Sequence, residues 1–308
     1  RTRASKPVSS RIKTGRLVSR LMVPGVRSPR TLVDPGLPRM ITVAALLVGA
    51  YGLILLGLLI FQDKLLYHPD TSIPDPASSG IAEMHPQKTQ SADRLTLLSW
   101  YAQGNPDQPV VAYFHGNAGN IGSRGDKVRP FLNAGYGVLL VGYRGFGGNP
   151  GTPSEDGFYA DARAALSLLK DVRPLILYGE SLGTAVATAM AAERSMAGNP
   201  VQALILEAPF PSVTAAARHY YPYVPVKWLL KDHFDQASRI ASISAPVLIF
   251  HGERDKTMPI RFGKALFEVA KMPKQAKWIA GAGHNDLFDF GAAELSIEFI
   301  QQSTTFTP

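Results

Sequence analysis

Between Leu95 and Ala280, seven short runs rich in β-branched and other apolar residues alternate with longer stretches that carry helical spacing. The runs fall at 95–102 (LTLLSWYA), 109–114 (PVVAYF), 137–142 (GVLLVG), 174–178 (PLILY), 202–206 (QALIL), 246–250 (PVLIF) and 276–280 (AKWIA). Helical patterns at 123–134, 154–171, 181–197, 259–271 and 286–302 lie between or after them, set off by Gly and Pro. Several runs are apolar at almost every position, as a parallel strand covered on both faces must be. The alternation predicts a doubly wound, mostly parallel α/β sheet in one domain, residues 93–308. It is interrupted at about 208–240 by "PFPSVTAAARHYYPYVPVKWLLKDHFDQAS". That insertion is read as a cap that forms an apolar acyl pocket or turns a surface toward lipid, or else as a helical excursion packed on the sheet.

Ligands of open α/β sheets bind beyond the carboxyl ends of the strands, so reactive side chains are sought there. After "LILY" stands Gly179-Glu180-Ser181-Leu182-Gly183, followed by the alanine-rich "TAVATAM". A G-x-S-x-G between strand and helix holds its serine in a sharp, strained turn with the hydroxyl exposed. A serine hydroxyl needs a general base, and the base needs an orienting carboxylate. Asp255 follows the strand "PVLIF" and His284 follows "KWIA", so Ser181, Asp255 and His284 are the expected catalytic residues, in the chain order of this hydrolase arrangement. Glu207 is the best substitute for Asp255. His251 is expected packed or hydrogen-bonded beneath the site, His219 and His233 lie in the insertion, and Glu253 and Asp286 read as solvated or capping groups.

A developing oxyanion needs preorganised donors. The Leu182 amide at the helix start is one candidate and that of Asn117, in "HGNAGN" after "VVAYF", is the other. A structural turn or a phosphate cradle is the competing reading of that loop, but no G-x-x-x-x-G-K-[ST] pattern occurs. In "YRGFGGNPGTPSEDG", Ser154 marks a helix start and Arg144 either lines the pocket rim or braces the loop.

"ITVAALLVGAYGLILLGLLIF", residues 41–61, carries no charge. At about 1.5 Å per residue it spans roughly 30 Å, the thickness of a bilayer's hydrocarbon. It is longer than a usual signal-peptide core, and "QDKLLYHP" follows where a small-x-small cleavage site would stand. The expectation is an uncleaved, single-pass signal anchor. Residues 1–40 form a basic tail with ten Lys/Arg against Asp34 alone, which the positive-inside rule keeps cytoplasmic, leaving the folded domain in the periplasm or lumen. An Arg- and Ser-rich, acid-poor start is also shared with organelle transit peptides. Residues 62–92 are read as a stalk and lead-in to the first strands, with Tyr67 either at headgroup level or packed in the ordinary way.

The chain's formal charge of +8 thus belongs to the tail, and the remainder is close to neutral, so no nucleic-acid partner is expected. Absence of cysteine excludes disulfides, thiolate catalysis and Cys-based zinc sites. The expected chemistry needs no metal and no organic cofactor.

Taken together, "LLYHPD", "HGNAGNIG", "YRGFGGNPGTPSEDG", "YGESLG", "YYPYVPVKWLLKDHFDQASRI", "PVLIFHGERDKTMP" and "GAGHND" resemble the Bem46-like family of α/β-hydrolases, which includes ABHD13-type and ABHD17-type enzymes. The resemblance covers about residues 62–302. It implies a Ser/Asp/His serine hydrolase, often membrane associated, acting on acyl ester or thioester bonds, with a small-molecule or lipid substrate and, here, the bilayer as partner of the N-terminal helix. Relatives of the ABHD17 type reach the membrane through a cysteine-rich acylated N-terminus. This sequence has a hydrophobic span in its place, so depalmitoylase activity is not carried over. An acyltransferase, a peptidase-like amide hydrolase and a noncatalytic membrane interaction protein are the alternatives on the same scaffold.

Overall fold

In a computed structural model, residues 36–169 and 174–305 are described. The basic tail through residue 35 and the last two positions of the helix expected at 154–171 lie outside the described residues. The chain divides at Gly52–Leu53 into two units. Gly36–Gly52 belongs to helix α1 (Gly36–Leu66), in which no residue is buried. An 18-residue window of α1 reaches a mean hydropathy of 2.6, and none of that window is buried. A core helix of this composition would have its apolar side chains covered; here Leu46, Leu47, Val48 and Leu53 are each about two-thirds exposed. The helix is one long apolar element suited to crossing a membrane.

The second unit is an eight-stranded sheet with helices on both faces. Its strands are β1 (His85–Gln90), β2 (Thr96–Ala102), β3 (Val110–Phe114), β4 (Gly137–Val141), β5 (Leu175–Glu180), β6 (Ala203–Glu207), β7 (Val247–Gly252) and β8 (Lys274–Ile279). The spatial order is β8-β7-β6-β5-β3-β4-β2-β1, parallel from β8 to β4 and antiparallel for β2 and β1. This is the expected doubly wound, mostly parallel sheet of the α/β-hydrolase fold.

Alternation along each strand divides the core into two layers. Val110, Ala112 and Phe114 of β3 and Leu175 and Leu177 of β5 face one layer. Val111 and Tyr113, with Ile176 and Tyr178, face the other. Helices α3 (Glu155–Leu166), α4 (Gly183–Met196) and α8 (Arg261–Val269) cover the first, through Phe158, Val186 and Leu266. Helices α2 (Gly125–Asn133) and α9 (Ala292–Thr305) cover the second, through Phe131 and Phe299. The insertion after β6 folds into three short helices, α5 (Val213–Tyr220), α6 (Val226–Leu229) and α7 (Gln236–Ile240).

The stalk expected at 62–92 needs correction. Helix α1 runs on to Leu66, Tyr67, Ile81 and Met84 are buried, and His85–Gln90 is the edge strand of the sheet. "HPQKTQ" has no apolar alternation because only Thr89 of that strand is buried. Tyr67 takes the packed alternative. Its ring meets Phe158 and Phe234 edge-on and its hydroxyl donates to Asp232 Oδ2 at 2.6 Å.

Candidate active site

Ser181 sits at φ +50, a left-handed conformation that costs a non-glycine residue on the order of 1–2 kcal/mol. The surroundings fix that turn. The Ser181 amide donates to Glu207 O at 2.9 Å, and the Thr184 amide donates back to Ser181 O at 3.0 Å. A Cβ on Gly179 would stand 2.5 Å from Thr184 Cα, and one on Gly183 2.0 Å from Phe114 O, so only glycine lets α4 start this close to β3 and β5. The two glycines of the motif therefore serve helix–sheet approach and the serine carries the strain.

Three strand ends bring the expected residues together. His284 Nε2 lies 3.0 Å from Ser181 Oγ, and His284 Nδ1 lies 2.7 Å from Asp255 Oδ2. An ionised carboxylate only accepts, so Nδ1 carries the proton and Nε2 is left to accept from the serine hydroxyl. Asp255 is 6% exposed and its Oδ1 accepts the amides of Thr257 and Met258 at 2.8 and 2.7 Å. Burial pushes its carboxyl up, but hydrogen bonds from His251 and His284 outweigh that and hold it well below the usual carboxylate range. Asp286 Oδ1 accepts the Gly283 amide at 2.6 Å, fixing the turn that presents His284.

The competitors go elsewhere. His251 is fully buried with Nε2 2.5 Å from Met258 O and 3.1 Å from Asp255 Oδ2, directly behind the carboxylate. His219 pairs with Arg261 and His233 with Thr214. Glu207 receives Lys127 Nζ at 2.5 Å and the Tyr178 hydroxyl at 2.6 Å. Arg144 braces its loop, held between Asp161 and Asp93.

Asn117 and Leu182 both line the cavity in front of Ser181. Among the described residues neither amide donates a backbone hydrogen bond. A Cβ on Gly116 would lie 3.4 Å from Ser181 Cβ, so the "HGN" loop passes against the serine. Asn117 is anchored from the other side, its Nδ2 donating to Leu66 O at 2.6 Å and its O accepting the His68 amide at 2.9 Å. His115 beneath it is fully buried against Tyr143 and Phe146, and burial lowers its pKa to about 3.

Two features escape the sequence reading. One is a buried charge cluster behind the turn: Arg124 Nε donates to Glu180 Oε2 at 2.9 Å, next to the Lys127–Glu207 pair, with Tyr113 and Tyr178 stacked at 4.7 Å between them. Burial raises the Glu180 carboxyl, but Arg124 and Lys127 outweigh it and hold it below its ordinary range. Its partners come from α2 and the turn before it, and nothing in "GESLG" announces them. The other is the part α1 takes in the cavity: of its volume of about 210 Å³, Phe210, Val213, Ala216 and Leu230 form a wall from the insertion, where a cap is expected, but Leu58, Leu65 and Leu66 of α1 form another.

The profile described as Serine aminopeptidase, S33, matches residues 105–237. The uncharacterized protein Rv2307c of Mycobacterium tuberculosis is 37% identical over 250 residues, covering 78% of this chain and 87% of that protein. The chain belongs to this family of α/β-hydrolases. This hydrolase is also 35% identical over 194 residues to the lysophosphatidylserine lipase ABHD12 of Danio rerio, a match covering 57% of this chain and 51% of that protein. Among solved structures the Pyrococcus furiosus esterase Pf2001 superposes with a TM-score of 0.60 at 18% identity, over 77% of this hydrolase and 98% of that chain, a likeness of fold. The chain is a serine hydrolase.

Proposed function

We propose that the protein is a membrane-anchored serine esterase that cleaves an acyl ester or thioester through an acyl-enzyme on Ser181. The observation that carries this reading is the relay of 3.0 Å from Ser181 Oγ to His284 Nε2 and 2.7 Å from His284 Nδ1 to Asp255. His284 takes the serine proton as Oγ attacks the acyl carbon, and Asp255, kept ionised, stabilises the imidazolium. Amides of Leu182 and Asn117 hold the oxyanion. His284 then protonates the leaving group, and water, activated by the same imidazole, releases the acid and restores the serine.

A mainly apolar wall of leucines, Phe210 and Val213 suits an acyl chain. The likeness to the zebrafish lysophosphatidylserine lipase supports the ester class. Residues 41–61 of α1 serve as the anchor, with the basic tail cytoplasmic and the hydrolase domain in the periplasm or lumen. Within the wider family, motifs such as "HGNAGNIG", "YRGFGGNPGTPSEDG" and "PVLIFHGERDKTMP" support a Bem46-like placement.

The test is turnover of a series of p-nitrophenyl and lipid esters by the full chain in detergent. Ser181→Ala is expected to lose roughly 10⁴-fold or more in kcat, with His284→Ala comparably impaired. A Ser181→Ala protein with unchanged turnover would end the proposal.

A further inference from the structure

Two large aromatic side chains of the insertion stand in solvent, Tyr223 at 88% and Trp228 at 82% exposure. Both belong to the segment fastened to the last turns of α1. Gln62 Nε2 donates to Leu229 O at 3.3 Å, the Lys231 amide donates to Gln62 Oε1 at 2.8 Å, and Lys231 Nζ stands 3.6 Å from Asp63 Oδ2. Gln62 is the first residue after the uncharged run 41–61. In a bilayer that this run crosses, those bonds set the insertion at the membrane–water boundary.

The chemistry of the edge agrees with that position. Trp228 follows the exposed Lys227, with Lys231 three residues on and Lys64 exposed on α1. Tyrosine and tryptophan settle at headgroup level, and lysine stems lie along the acyl layer while the ammonium reaches phosphate. The cavity in front of Ser181 lies between the same two elements, walled by Leu58, Leu65 and Leu66 on one side and Val224, Leu229 and Leu230 on the other.

We propose that the edge bearing Tyr223 and Trp228 rests in the interfacial layer of the membrane that α1 enters, and that a lipid ester fills the Ser181 cavity from that layer, its acyl chain entering between α1 and the insertion. This rests on the readings of α1 as a span and Ser181 as the nucleophile. The end of the anchor is then a wall of the substrate site, and the enzyme takes its substrate from the leaflet instead of from water.

The test places the full chain in phosphatidylcholine vesicles whose acyl chains are brominated near the headgroup. The chain has three tryptophans, of which Trp100 is buried and Trp278 lies on edge strand β8. Fluorescence should be quenched, and Trp228→Phe should lose the larger part of that quenching. No quenching, or the same quenching in both proteins, overturns the proposal. Tyr223 and Trp228 do not line the cavity, so the double variant Tyr223→Ser/Trp228→Ser should turn over a soluble acetate ester as before. Its hydrolysis of a long-chain ester embedded in vesicles should fall about tenfold, the factor that ~1.4 kcal/mol of lost attachment gives. Equal losses on both substrates, or none on either, overturn the proposal as well. Fluorophosphonate labelling of the same samples separates the two readings: labelling at Ser181 without Trp228 quenching removes the interfacial docking alone, and quenching without labelling removes the nucleophile.

Discussion

Ser181 is held at φ +50 by its neighbours, so its backbone stores strain that works against stability. Ser181→Gly should therefore be more stable than Ser181→Ala by about 1 kcal/mol in thermal unfolding, both variants being inactive. His251 makes a second residue-scale prediction. Its Nε2 stands 3.1 Å from Asp255 Oδ2, so in the proposed relay His251→Phe should lower kcat by about 10–100-fold with little change in KM, the worth of one charge-assisted buried hydrogen bond. His115 makes a third, in pH. The unfolded chain takes up a proton near 6.5 that the folded chain refuses until about 3. The stability tied to neutral His115 is fully present above 6.5 and is lost progressively as pH falls toward 3, at up to about 1.4 kcal/mol per unit. Unfolding measured from pH 7 to pH 4 should show that slope, and His115→Gln should flatten it. At this scale "GESLG", Asp255 and His284 were legible because each follows a strand end in sequence. The ion pairs of Glu180 and Glu207 were not, since Arg124 and Lys127 come from a segment 56 and 80 residues away.

At the scale of elements, the strands buried on both faces announced themselves. β3 carries no charge at any position, and β5 and β6 carry none before the glutamate that ends each, because all three are sandwiched between helices. β1 was illegible for the opposite reason: it is a polar edge strand, His85–Gln90, that pairs through its backbone with β2 and buries little side chain. β8, also an edge, opens on the polar pair Lys274-Gln275, so the apolar run at 276–280 begins two residues inside it. The junction of α4 with β3 carries the element-scale prediction. Gly183→Ala puts a methyl 2.0 Å from Phe114 O, so α4 must shift away from the sheet. A loss of about 3 kcal/mol or more in unfolding free energy is expected, with activity falling alongside because Leu182 and Ser181 move with the helix start.

For the whole molecule, the apolar run of α1 was plain in the sequence, but its continuation to Leu66 and its role as a cavity wall were not. That role arises from tertiary contact between residues 58–66 and an insertion more than 140 residues later. On the proposed role of α1 as an anchor, the full chain should stay with membranes through alkaline carbonate extraction; release into the supernatant would contradict the anchor. The account as a whole depends on Ser181 being a nucleophile that His284 activates, and a fluorophosphonate probe reads that directly. Peptide mapping by mass spectrometry of the labelled full chain should find the phosphonyl adduct on Ser181, with labelling strongly slowed in His284→Ala. Failure to label under conditions where a control esterase reacts, or an adduct on any other residue, would contradict it.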